Sequence, residues 1–298
     1  MNKKIDRRGF EKVDKQKINM FVNKFSLGKR FYLIIPFLLI SIILIIAPLI
    51  VIIINVLQPV NLNINDNWQI MTSTIWQKIG KSLWIAIVST IIVLLVSFPF
   101  AYGLSLSKNK IFQSLIIFFI TTPVWINILI KLIGLKSIFD IINGQINSTY
   151  GDIYTILGLI YIYTPFMIMP IYSALQTLPK NLINASKDLG RNNFYTFINI
   201  TIPCCKTAII SGVTLVLLPC FTTVIVSGFM NNNNDGSLIG SVIMNQGDSG
   251  LNSKIALART SVLVLVVSCV TLFVYLSLVY LPKLYFVIKK KMVKKNEK

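Results

Sequence analysis

Histidine is absent from the 298 residues, and carboxylates number only ten. Without histidine, a Ser-His-Asp relay and His-ligated zinc are both excluded. The four cysteines, Cys204, Cys205, Cys220 and Cys269, make no CxxC pair. They sit in or beside apolar stretches and read as small buried hydrophobes. Charge is thin, at 13% of residues against 54% hydrophobic. A water-soluble domain of this size needs far more charge to cover its surface. A phosphate-binding loop is missing as well. Gly80-Lys81-Ser82 imitates the end of one, but the first glycine belongs at position 75, which is Ile75. The triplet also opens an apolar helix instead of following a strand, so it is a decoy.

What the chain has is length of apolar sequence. Crossing a bilayer core of about 30 Å takes about 20 apolar residues. Runs of that kind stand at 31–57, 82–106, 111–130, 154–178, 207–230 and 256–281. They predict an all-α integral membrane protein with about six spans. The first run is too long for a signal peptide, follows a basic arm and precedes no small-residue cleavage site, so it reads as a span. None of the six runs contains Asp or Glu. That argues against a gradient-driven secondary transporter, whose spans often carry carboxylates as ion relays.

The 29 Lys and Arg residues give a net charge of +19. They lie between and beyond the apolar runs, a pattern that fits membrane orientation better than nucleic-acid binding. Of these, 23 fall in alternate segments: the arm 1–30, Lys108 and Lys110, Lys180, Lys187, Arg191 and Lys206, and the tail after Leu281. The opposite loops and adjoining helix ends hold Lys78, Lys81, Lys131, Lys136, Lys254 and Arg259 with five of the ten acids. Positive-inside logic therefore expects both termini in the cytoplasm. The domain reading is a basic arm at 1–30, a membrane domain at 31–284 and a basic tail at 285–298.

Seven prolines, Pro36, Pro48, Pro99, Pro123, Pro165, Pro170 and Pro219, fall within the runs. Each frees a carbonyl that lipid does not satisfy, so such helices line protein-buried or watery space, or are kinked for packing. Trp125, Asn127, Tyr161 and Tyr163 stand in proline-containing runs. They are candidates for a translocation path, the alternative being interfacial anchors. Lys131 and Lys136 read as snorkelling cations at the end of the third run.

The loop between the fourth and fifth runs is the most informative segment. It reads Thr177-Leu-Pro-Lys-Asn-Leu-Ile-Asn-Ala-Ser-Lys-Asp-Leu-Gly190, continuing to Ile200-Thr-Ile-Pro203. Pro179 suits a first helical position and Gly190 a left-handed stop. Leu182, Ala185, Ser186 and Leu189 share one narrow face with small residues at its middle, and Phe194, Phe197 and Ile198 begin a second amphipathic turn. Such a helix either meets a partner surface closely or lies on lipid headgroups.

The segment resembles the E-A-A-x3-G-x9-I-x-L-P signature of ABC importer permeases. Ala185 and Ser186 stand at the small positions, Gly190 at the glycine, and Ile200, Ile202 and Pro203 at the terminal positions, with Ile202 replacing leucine. Asn184 replaces the signature's glutamate, and Asp188 supplies a charge one turn later. The stretches Thr122-Pro-Val-Trp-Ile-Asn, Tyr161-Ile-Tyr-Thr-Pro-Phe and Gly228-Phe-Met-Asn resemble spermidine/putrescine permeases of the PotB type. The resemblance implies a type I importer fold and a loop at 179–203 that couples to an ATPase. The implied partners are an ATPase dimer, a second homologous permease and an extracytoplasmic substrate-binding protein. It implies no cofactor on this chain, ATP and magnesium belonging to the ATPase. Permeases for thiamine, sulfate or iron remain alternatives within the family, and a membrane scaffold or insertase outside it.

The charge pattern yields a topology test. With the four native cysteines replaced, single cysteines at Asn2 and Asn296 are expected to react only from the cytoplasmic side, and one at Asn233 only from outside. Labelling of position 233 from the cytoplasm alone would overturn the six-span arrangement.

Overall fold

The computed structural model describes residues 34–57, 65–143, 151–231, 238–250 and 253–296, with backbone alone at 65–66, 143, 180 and 281–296. The arm 1–30 and positions 232–237, including Asn233, lie outside these residues. Every regular element among the described residues is helical. The chain divides into two compact units, Met1–Ile54 and Asn55–Lys298. The first contains most of α1 (Ile35–Leu57), apolar throughout, with Pro48 inside it. Its side chains are exposed along nearly the whole helix, as expected of a helix solvated by acyl chains.

The second unit is built on α2 (Ser73–Leu106), which carries Pro99. Its buried positions include Ser82, Ala86, Ser89, Val93, Ser97 and Ala101, small residues about one turn apart. Small side chains let neighbouring backbones approach, which is how helices associate where no water drives them together. α2 packs chiefly on α5 (Gly151–Thr177), and α7 (Lys206–Phe221) packs on both. Leu159, Met167 and Ile171 of α5 and Val216, Cys220 and Phe221 of α7 are fully buried in this core. The last helix, α10 (Lys254–Asn296), continues without a break past position 285.

Four helices are long and apolar enough to span: α1, α2, α5 and the Lys254–Tyr280 part of α10. The count reaches six if each of two bent pairs is one span. The first pair breaks the continuous run read at 111–130, and the run read at 207–230 is interrupted after Phe221. α3 (Lys110–Trp125) is 16 residues, about 24 Å long, and meets α4 (Ile128–Asn143) at a 100° bend. The cause is Asn127, whose Oδ1 accepts the Leu129 N–H at 2.9 Å and so caps α4. Likewise α7 ends at Phe221, and a short α8 (Ile225–Met230) follows. At its other end α7 meets the segment Asn193–Cys204 at 72°. A further correction concerns acids. α5 starts at Gly151, not Tyr154, so Asp152 lies in its first turn.

The stop after α7 is braced by α9 (Ile239–Gly250). The buried Ile239 N–H donates to Ser82 Oγ at 2.8 Å, and that hydroxyl donates to the Lys78 carbonyl at 2.8 Å. Ser82 of the decoy triplet is thus a fully satisfied structural residue. Gly240 lies directly on the Thr222–Thr223 backbone: a Cβ there would come within 2.4 Å of the Thr223 carbonyl oxygen.

Gly240→Ala is therefore expected to destabilise the fold by about 3 kcal/mol, as backbone cannot give way like a side chain. At Gly103, in α2, a Cβ meets nothing within 4 Å, and Gly103→Ala should gain about 0.5–1 kcal/mol of helix propensity. Thermal unfolding in detergent, followed by size-exclusion chromatography, checks that the two alanines shift the midpoint in opposite directions.

Candidate functional site

The loop signature folds into α6 (Lys180–Asp188), with Pro179 as its N-cap, so the helix begins one position after the first helical residue expected. α6 ends in a Schellman motif. Gly190 N–H donates to the Lys187 carbonyl at 2.8 Å and Arg191 N–H to the Ser186 carbonyl at 3.1 Å. Gly190 has φ +72°, the left-handed conformation read from the sequence. A turn at Asn193–Thr196 and a π-helical turn at Phe197–Thr201 follow, leading to Ile202 and Pro203.

Burial divides the face read at Leu182, Ala185, Ser186 and Leu189. Ser186 turns inward at 4% exposure, while Leu182, Ala185 and Leu189 stay exposed. The inward turn has a hydrogen-bonding cause. Thr196, fully buried, gives its proton to the Asn192 carbonyl at 3.2 Å, and Ser186 Oγ meets Thr196 Oγ1 at 2.7 Å as the donor. Thr201 Oγ1 donates to the Thr196 carbonyl in turn, at 3.4 Å. Ser186 is thus an internal tie between α6 and the following turn. Asn184 and Asp188 are exposed.

Phe197 anchors the segment, a role hidden from the sequence because its partners lie about 95 positions away. Its ring meets Phe98 edge-on at 5.3 Å and Tyr102 at 4.9 Å, both on α2. On the other surface Leu189 is 80% exposed and Phe194 70%, with Leu182, Tyr195 and Ile198 also exposed. Ile200 and Pro203 lie on the exit from this segment, half-buried and exposed respectively.

At the other end of α2, about 30 Å along the helix from Tyr102, a polar cluster joins three elements. Lys81 Nζ pairs with Asp152 Oδ2 at 2.8 Å, and Asn231 Nδ2 donates to Asp152 Oδ1 at 3.1 Å. The sequence placed Asp152 in a loop, so its junction role was not legible.

The four path candidates are not gathered into one site. Trp125 is 89% exposed at the end of α3, and Asn127 is committed to capping α4. Tyr163 packs on the core of α5 and pairs with Phe166 at 6.0 Å, whereas Tyr161, two residues away, is exposed. Residues two apart on a helix do not share a face. No ring pair or hydrogen bond joins Trp125 to either tyrosine among the described residues.

Residues 96–285 match the model of the family described as "Binding-protein-dependent transport system inner membrane component". The chain belongs to this family. It is accordingly a multi-pass membrane transport subunit and not an enzyme. It is 39% identical to the spermidine/putrescine transport system permease protein PotB homolog of Mycoplasma genitalium, over 91% of this chain and 98% of that one. To the PotB permease of Escherichia coli it is 35% identical, over 53% of this chain and 62% of that one. The fold is shared with a chain of a bacterial alginate ABC transporter solved in complex with an alginate pentasaccharide-bound periplasmic protein. That match has a TM-score of 0.64 at 17% identity and covers 84% of this chain and 95% of the other. The two bent pairs thus belong to a permease fold in which six spans are reached by counting each as one.

Gly190 is the residue of this loop whose geometry makes the sharpest demand. No neighbour lies within 4 Å of a Cβ built there, so a side chain would be opposed by backbone conformation alone, at about 1–2 kcal/mol for a left-handed residue. Gly190→Val is expected to insert and fold normally while distorting the end of α6. Limited proteolysis should show faster cleavage between 186 and 196 with an unchanged global unfolding midpoint.

Proposed function

We propose that this chain is the permease subunit of an ATP-driven polyamine importer, with spermidine or putrescine as its cargo. The observation that carries the reading is near full-length similarity to a protein named as a spermidine/putrescine permease homolog, 98% of which is matched. The loop at 179–203, including Asn184, Ala185, Ser186, Asp188, Gly190, Ile200 and Pro203, couples to the ATPase. Its exposed apolar crest supports this: Leu189 and Phe194 stand outside the runs that lipid covers, so a protein surface is their natural cover. The working complex contains an ATPase dimer, a second homologous permease and an extracytoplasmic substrate-binding protein. ATP and magnesium are used by the ATPase, and both termini of this chain lie in the cytoplasm, as the distribution of 23 of 29 cations favours.

A polyamine carries several ammonium groups, none of which enters a low-dielectric path uncompensated. Aromatic faces, each worth about 0.5–2 kcal/mol to a cation, and carbonyls freed by proline are what this chain offers. Trp125, exposed beside the bend at Ile126–Asn127, is the candidate, with Tyr163, Tyr161 and Asn127 behind it. The second permease would complete the path, which explains why one chain alone does not gather these residues.

Uptake by the complex reconstituted with its binding protein tests the assignment. Spermidine should be transported in preference to thiamine or sulfate, and Trp125→Leu should lower uptake severalfold while complex assembly survives. Transport of another solute without spermidine would remove the polyamine reading and leave the permease reading intact.

A further inference from the structure

The docking crest has an unusual charge for a surface whose signature position is acidic. Asn184 is neutral, and within 180–206 Lys180, Lys187, Arg191 and Lys206 stand against the single acid Asp188. Lys187 and Arg191 are exposed beside Leu189, and no carboxylate among the described residues forms an ion pair with either. Arg191 is also held in place. Its N–H closes the Schellman motif on Ser186 at 3.1 Å, and its guanidinium carbon lies 4.7 Å from the centre of the Tyr195 ring. A cation fixed by its own backbone and stacked on an aromatic ring loses little freedom on meeting a partner. Arginine's planar fork is suited to taking a carboxylate with two parallel hydrogen bonds.

We propose that the ATPase surface receiving this loop is an apolar groove with an acidic rim, whose carboxylates pair with Arg191 and Lys187. It does not carry the cation that a glutamate at position 184 would require. This rests on the reading of 179–203 as the ATPase-docking loop. The apolar crest of Leu182, Leu189 and Phe194 fills the groove, and the rim charges set orientation and association rate. A basic crest beside a membrane also attracts anionic headgroups, and the experiment separates the two partners.

The full permease complex is immobilised in a neutral detergent, and the ATPase purified with the wild-type complex is stripped and rebound. Binding should weaken as salt rises from about 0.05 to 0.5 M, because exposed ion pairs are screened over that range. Lys187→Glu with Arg191→Glu should weaken it at least tenfold, and reversing groove carboxylates of the ATPase to lysine should restore it. Asn184→Glu should also weaken binding. Tighter binding by Asn184→Glu, or full retention by the double reversal while Gly190→Val loses the ATPase, would overturn the acidic rim but leave docking at this loop standing. Loss confined to nanodiscs containing anionic phosphatidylglycerol, absent in detergent, would assign the cations to lipid. Undiminished binding by all three variants would remove the docking reading itself.

Discussion

Lipid offers no hydrogen-bond partner, so wherever a helix of this chain stops inside the apolar band the chain must supply the missing donors and acceptors itself. Three breaks in the helices are managed by different means. At Asn127 a side-chain carbonyl caps the next helix. Near Cys205, the π-helical turn and Ile202–Cys204 carry the backbone around a 72° bend without leaving helical hydrogen bonding for long. After Phe221 the opening is closed from outside the helix. α9 lies on the Thr222 and Thr223 carbonyls through Gly240, and Ser82 of α2 receives the first N–H of that helix. Proline frees carbonyls but does not decide where a helix ends. Pro99, Pro165 and Pro170 sit inside unbroken helices, and the polar neighbours make the difference.

The same helix, α2, is common to both ends of the molecule. Its first turns hold Lys81 against Asp152 and Ser82 against Ile239. Its last turns hold Phe98 and Tyr102 against Phe197 of the segment after α6. Small buried residues along its length keep it close to α5 and α7, and close-packed helices shift as rigid bodies more readily than they deform. The loop is thus joined through one rigid helix to the Lys81–Asp152 and Ser82–Ile239 contacts at the opposite end. The aromatic contacts are edge-on, an arrangement worth about 0.5–1.5 kcal/mol beyond burial. That suits a joint which must hold without being immovable.

Much of this was legible in the residues. Six apolar runs, the membrane class, the left-handed Gly190 and the position of the loop follow from hydropathy and from glycine's tolerance of positive φ. The two bent pairs were not legible, for a physical reason. A hydropathy window averages over about 20 residues, and one Asn among Trp125, Ile126, Ile128 and Leu129 hardly moves that average, although its carbonyl is enough to end a helix. Asp152 escaped in a similar way: its charge placed it outside the apolar run, yet it suits the first turn of a helix, where the partial positive charge of free N–H groups favours it. The inward face of Ser186 depends on Thr196, ten residues on, and Phe197 on partners about 95 residues back. Neither pairing leaves a periodic trace.

The exposed apolar side chains divide by the medium that covers them, and that division bears on how so short a segment would carry the proposed recognition. On α1 and the outer faces of α2, α3 and α10, exposed Leu, Ile and Phe are solvated by acyl chains at no cost. Leu189 and Phe194 lie outside every apolar run, where leaving them in water is unfavourable by about 25 cal/mol per Å² of apolar surface. A partner groove that covers them gains that term, whereas lipid-facing side chains gain nothing from a protein neighbour but packing. The binding energy of the proposed docking would thus be concentrated in a few side chains between α6 and Phe197. Their placement depends on a left-handed glycine, one Ser–Thr hydrogen bond and one aromatic joint to α2.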